Sequence, residues 1–150
     1  MKYYTGAFRK YAVFSGRATR SEYWFFVLFN GIVTIALAVI AAGASLRAPT
    51  EHQNPVLTPA QLPILVYYVA ALLPSLAVLV RRLHDTGRSG WWVFCAFLAG
   101  VLMGFSNAFP NYALIFAIPA FLLSLIILAF TIQGSEDRGN RHGPNPKAVP

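Results

Sequence analysis

Residues 89–135 read SGWWVFCAFLAGVLMGFSNAFPNYALIFAIPAFLLSLIILAFTIQGS, 47 consecutive positions without a charged side chain. A bilayer core about 30 Å thick needs roughly 20 apolar helical residues at about 1.5 Å each. The stretch is therefore long enough to cross twice. Ser106-Asn107-Ala108-Phe109-Pro110-Asn111 supplies the turn signal between the two passes. Helices are predicted near residues 91–105 and 112–132. A soluble helical bundle would need an amphipathic stripe on each helix, and no such stripe is visible.

Two more charge-free stretches lie upstream, between Glu22 and Arg47 and between Glu51 and Arg81. Tyr23 to Leu46 holds 24 residues and makes one span, near 23–46. The other begins with polar and proline-rich sequence, which places its helix near 61–80. A secretory signal has an apolar core of only about 7–15 residues. Tyr23 to Leu46 is longer and follows a 22-residue aromatic-rich lead, so it reads as a span. The fold class is all-α: one polytopic membrane domain with four transmembrane helices. A short interfacial helix precedes them, with Tyr4, Phe8 and Tyr11 at helical spacing around Arg9 and Lys10.

Composition agrees. The 150 residues are 57% hydrophobic, 15% aromatic and 11% charged, too little ionic surface for a water-exposed globule. The net charge of +7 could suggest nucleic acid, but its placement points elsewhere. Lys2, Arg9, Lys10, Arg17 and Arg20 precede the first span, Arg81, Arg82 and Arg88 lie between the second and third, and Arg138, Arg141 and Lys147 follow the fourth. Four passes put these 11 of 12 cations on one side, with Arg47 alone on the other. Short cytoplasmic loops carry the excess of Lys and Arg. Residues 1–22, 81–90 and 133–150 are therefore expected in the cytoplasm with both termini, and the proline-containing loop 47–60 outside.

Within the spans, Pro74 and Pro119 each remove a backbone hydrogen bond and are expected to kink their helices. Ala96, Gly100 and Gly104 form a small-residue face, expected to pack on another helix of this chain, with a second copy as the alternative. The single cysteine, Cys95, excludes an intramolecular disulfide and a cysteine metal cluster. No ionisable side chain lies at mid-membrane depth, which argues against a proton pump built from one copy.

The densest polar sequence is Arg81-Arg82-Leu83-His84-Asp85-Thr86-Gly87-Arg88-Ser89-Gly90-Trp91-Trp92. It admits two readings. In one, His84 and Asp85 perform acid–base chemistry while arginines hold an anionic substrate. In the other it is a tight interfacial turn anchored by Trp91 and Trp92, just as Tyr23 and Trp24 anchor the first helix. Asp85, the one acidic residue there, is predicted to pair with Arg17 or Arg20 across the membrane face.

Three ordered segments, Phe14-Ser-Gly-Arg17-Ala-Thr-Arg20-Ser-Glu22-Tyr-Trp24, the arginine-rich segment ending in Trp92, and Gly139-Asn140-Arg-His-Gly-Pro-Asn-Pro146, closely resemble those of a bacterial inner-membrane family. It is known as domain of unknown function 805, the YhaH-like proteins. One departure is His142, where the family often carries tyrosine. The resemblance covers nearly the whole chain and implies a small multi-pass protein of the bacterial inner membrane, with no activity to transfer. Its signature segments are the three polar ones, which suggests a composite site or a folded cap on that face.

The leading functional reading is a non-enzymatic membrane protein whose basic face engages anionic lipid headgroups or a protein partner. Arg17, Arg20, Glu22, Arg81, Arg82, His84, Asp85, Arg88 and Asn140 are its candidate residues. A boundary enzyme acting on a phosphate-bearing or lipid-linked substrate is the alternative, and an oligomeric transporter component is a third. No cofactor, metal or nucleic-acid partner is expected.

Overall fold

The computed structural model describes residues 11–45, 61–136 and 139–144. The expected interfacial helix at Tyr4 and Phe8, the loop 47–60 and the last six residues lie outside the described residues. Four helices follow one another: α1 (Arg20–Ser45), α2 (Leu62–Asp85), α3 (Val93–Ala108) and α4 (Ala113–Ile132). Short 3-10 turns at Gly90–Trp92 and Pro110–Tyr112 extend α3 and α4, giving continuous spans of 19 and 23 residues. All four helices are long and apolar enough to cross a membrane.

The arrangement is two antiparallel hairpins, α1 with α2 and α3 with α4. Large apolar side chains such as Leu28, Ile35, Val66, Phe97, Leu114 and Phe121 point outward along both hairpins. In water such patches would be unstable, whereas in a bilayer they meet acyl chains. α2 is the most enclosed helix. Ala18, Phe26 and Val78 form a buried cluster with Tyr23 packed against it. The largest fully buried side chains include Arg81, Arg82 and Asp85 as well as Phe26, Leu83 and Val78. The tightest packing thus surrounds charges at one end of the bundle.

Mid-span polar groups are satisfied locally, as lipid requires. Asn30 donates to the Phe26 carbonyl at 2.8 Å and accepts from the Tyr67 hydroxyl, joining α1 to α2. Pro74 has no N–H, so the carbonyl of Ala70, four residues earlier, has no helical donor. The Tyr11 hydroxyl supplies one at 2.6 Å. Ala70 lies roughly 16 Å along the axis from Arg81 at about 1.5 Å per residue. The Gly16 carbonyl and the Ala18 N–H are bonded at the level of His84 and Arg81. The chain from Gly16 back to Tyr11 therefore runs along α2.

Within one copy, the small-residue face does not pack as expected. A Cβ built at Gly100 or Gly104 would meet nothing within 4 Å. α3 packs instead through Ala99, its buried residue, flanked by half-buried Cys95, Leu102 and Ser106. The Ser106 hydroxyl donates to the Ala113 carbonyl at 3.1 Å on this face. Neighbouring residues are about 100° apart around a helix, so choosing the face one position away leaves Gly100 and Gly104 facing outward.

Candidate functional site

α2 does not stop at residue 80. Arg81-Arg82-Leu83-His84-Asp85 forms its last turn, so these residues are helical and not part of a loop. Nothing in Ala77–Asp85 breaks a helix, and the stop comes at Thr86-Gly87. Gly87 has φ +72°, a left-handed conformation that glycine adopts without steric cost. Its N–H bonds the His84 carbonyl at 3.1 Å, and the Arg88 N–H bonds the Leu83 carbonyl at 2.9 Å. This paired pattern is a Schellman C-cap. A helical turn spaces its side chains around the axis, so Arg81, Arg82, His84 and Asp85 reach different neighbours.

Arg82, fully buried, turns toward the end of α4. Its Nε donates to the Thr131 carbonyl at 3.0 Å and its Nη2 to the Gln133 carbonyl, while Nη1 reaches Asp85 Oδ2 and the Ala18 carbonyl. The last carbonyls of a helix lack internal donors and carry the negative end of its dipole. Arg20 Nε also donates to Gln133 O, at 2.7 Å. Arg88 reaches Gln133 Oε1 at 2.6 Å and lies 3.8 Å over the Phe130 ring. Three arginines thus close the C-terminus of α4.

Asp85 is buried between two cations. Arg17 Nε bonds Oδ1 at 2.9 Å, and Arg82 takes Oδ2. Arg17 also donates through Nη2 to the carbonyls of Asp85 and Glu136, at 3.3 and 2.6 Å. Of the two predicted partners Arg17 is the one found, while Arg20 is committed to α4. Arg81, 1% exposed, turns to α1 and pairs with Glu22 Oε1 at 2.9 Å. Glu22 stands three residues after Thr19, whose hydroxyl accepts the Glu22 N–H at 3.2 Å and caps α1.

The tail completes the cap. The Glu136 N–H bonds the Asp85 carbonyl at 3.0 Å. Asn140 Nδ2 donates to the His84 carbonyl at 2.9 Å and to Glu136 Oε2 at 2.8 Å. Asn140 and Gly143 exchange backbone bonds in a tight turn that lays His142 on His84, ring centroids 3.7 Å apart and planes 5° from parallel. His84 Nδ1 faces the Gly16 carbonyl at 3.3 Å. Burial, together with the Arg141 and Arg17 guanidiniums, pushes His142 below its ordinary range, against the opposing pull of Glu136.

All nine candidate residues therefore belong to one bonded assembly, but most of its acceptors are the protein's own. His84 and Asp85 have separate partners and form no dyad. The aromatic anchors divide: Tyr23 and Trp92 pack inward, Trp92 edge-on to Phe130 at 4.9 Å, whereas Trp24 and Trp91 are exposed. A shallow cleft of about 290 Å³, lined by Ser89, Gly90, Trp91 and Phe94, opens beside α3. No group of three metal-ligating side chains converges among the described residues. Thr131, Gln133, Glu136, Phe130 and the Gly16 carbonyl were not foreseen. Thr19 ahead of the first span was legible as an N-cap residue, but backbone acceptors leave no trace in residue type.

The chain is 34% identical over 147 residues to the inner membrane protein YhaI of Escherichia coli K12, covering 98% of this chain and 97% of that one. It is 35% identical to YhaH of the same organism over 150 residues, the full length of both. A shorter match, 37% over 65 residues, links it to the uncharacterized protein YiiR, covering 43% of this chain and 44% of YiiR. No solved structure matches. The family model described as "protein of unknown function (DUF805)" spans residues 11–144, from the tyrosine on Ala70 to the end of the histidine-bearing turn. With four membrane-length helices and full-length inner-membrane relatives, this chain belongs to the DUF805 family of inner membrane proteins.

Proposed function

We propose that this protein is a non-enzymatic inner-membrane protein whose cap faces the cytoplasm and engages anionic lipid headgroups through the cations on its rim. The observation that carries the reading is a division of labour among the arginines. Arg17, Arg81 and Arg82 are buried with their internal acceptors, whereas Arg20 and Arg141 are exposed and Arg88 is half-buried on the same face, each bonded internally through one nitrogen. A guanidinium has five donors, and those of Arg82 are nearly all engaged inside. The exposed cations keep donors for phosphate, and each cation near an anionic surface contributes about 1 kcal/mol. The cytoplasmic assignment follows from the charge bias of the sequence.

Co-purified lipid from membranes of defined composition tests the reading. Arg20→Ala combined with Arg141→Ala should lower the anionic fraction relative to the parent. An unchanged fraction would refute headgroup binding and leave a protein partner as the use of this face. Orientation is tested separately by cysteine labelling on a Cys95→Ala background: position 53 should label from outside and position 141 should not. An assembly that shields position 53 but labels position 141 from outside would invert the topology.

A further inference from the structure

The two stacked histidines belong to different elements. His84 is on the last turn of α2 and His142 is on the tail, and their near-parallel rings are 3.7 Å apart. Two neutral imidazoles attract at this separation, whereas two imidazolium rings repel. The protons on these rings also matter to the bonds around them. Arg141 Nε donates to His142 Nε2 at 3.1 Å, so Nε2 is the acceptor nitrogen and Nδ1 carries the proton in the neutral ring. A second proton can only enter at Nε2, where it would replace that lone pair with an N–H facing the Arg141 N–H. His84 Nδ1 faces the Gly16 carbonyl, and its Nε2 abuts Gly90. Besides the stack, the 139–144 turn holds α2 through one bond, Asn140 Nδ2 on the His84 carbonyl, while Glu136 just before it stays bonded to the Asp85 carbonyl.

We propose that the His84–His142 stack is a proton-operated latch, in which proton uptake by the rings releases the 139–144 turn from the end of α2. The charged groups around it favour that outcome. Arg141 on the tail and Arg17 on the N-terminal segment both oppose a cationic His142, and Glu136 alone favours it. Asp85, next to His84 on α2, is already held by Arg17 and Arg82. Burial and the two guanidiniums, against Glu136, hold His142 toward its neutral form. The latch is therefore closed in that form and opens on acidification. Opening breaks the Asn140 bonds to the His84 carbonyl and to Glu136 Oε2 and swings Arg141 away from α2. The inference is independent of headgroup binding, since it concerns how the tail is held.

A nitroxide at Gly139→Cys on the Cys95→Ala background, in full-length protein in lipid nanodiscs, reads the tail directly. The mobile fraction should rise from about pH 7.5 to about pH 5.5, by at most about tenfold per pH unit for each linked proton. His142→Tyr, which keeps a flat ring and removes the titration, should abolish that rise. Mobility unchanged across the range, or an identical transition in His142→Tyr, overturns the latch. If His142→Tyr is mobile at every pH, ¹⁵N imidazole shifts of the parent decide. A release midpoint that coincides with His142 protonation upholds the latch, and midpoints that differ refute it.

Discussion

Asp85 Oδ1 accepts the Arg17 Nε–H at 2.9 Å across 68 residues of sequence, with both side chains essentially inaccessible to solvent. Breaking a buried pair leaves an uncompensated charge and costs about 3–5 kcal/mol. Asp85→Asn is expected to lose stability on that scale in detergent unfolding. In a double-mutant cycle with Arg17→Gln the losses should be far from additive. With Arg20→Gln, whose guanidinium serves Gln133, they should add.

Tyr11 and Pro74 form a second testable couple. Tyr11→Phe leaves the Ala70 carbonyl without a donor, which costs roughly 1–3 kcal/mol when the group is away from water. Pro74→Ala restores the helical N–H to that same carbonyl. In the Pro74→Ala background the Tyr11→Phe effect should therefore shrink markedly. An equal loss in both backgrounds would mean that Tyr11 acts through something other than this bond.

Gly87 and Gly100 should respond in opposite ways. At Gly87 the backbone is left-handed and a Cβ would come 3.0 Å from Glu136 Oε2. Gly87→Ala is expected to cost about 1–2 kcal/mol through strain alone, and to loosen the tail. Gly100→Leu meets open space and should stay within about 0.5 kcal/mol of the parent. Thermal melts of the two variants in one detergent settle both. A severe loss at Gly100 would return the packing face to the small-residue stripe.

Stability should also depend on pH through His142. Its folded value is depressed below the ordinary 6.5, first by burial and then by Arg141 and Arg17. The unfolded chain therefore binds the proton more readily, and stability rises with pH through this window. The contribution is complete above about pH 6.5 and is lost as pH falls toward and through the folded value. Melting temperatures from pH 7.5 downward should show this decline, about equally at low and moderate salt for the burial part. In His142→Tyr the component should be missing.

The sequence alone determined that the chain carries four helices long and apolar enough to cross a membrane, and it put Arg17, Arg20, Arg81, Arg82, Arg88 and Arg141 in the connecting segments that meet at one end of the bundle. Both conclusions rest on quantities summed over many residues: length without charge against bilayer thickness, and the number of Lys and Arg in each connecting segment. Errors of a few residues at each helix end do not alter them. Asp85 with Arg17 was also within reach, because a single carboxylate among cations has few possible partners.

Only the tertiary structure decided what the arginines hold. Arg82 and Arg20 donate to the carbonyls of Thr131 and Gln133, and a backbone carbonyl looks the same at every position of a sequence. The packing face of α3 turned on a rotation of one residue, which composition does not specify because Ala99 and Gly100 are both small. The stack of His142 on His84 depends on a turn closed by Asn140 and Gly143 and on where α2 ends. These features depend on distances between segments far apart in the chain, and such distances exist only once the helices have packed.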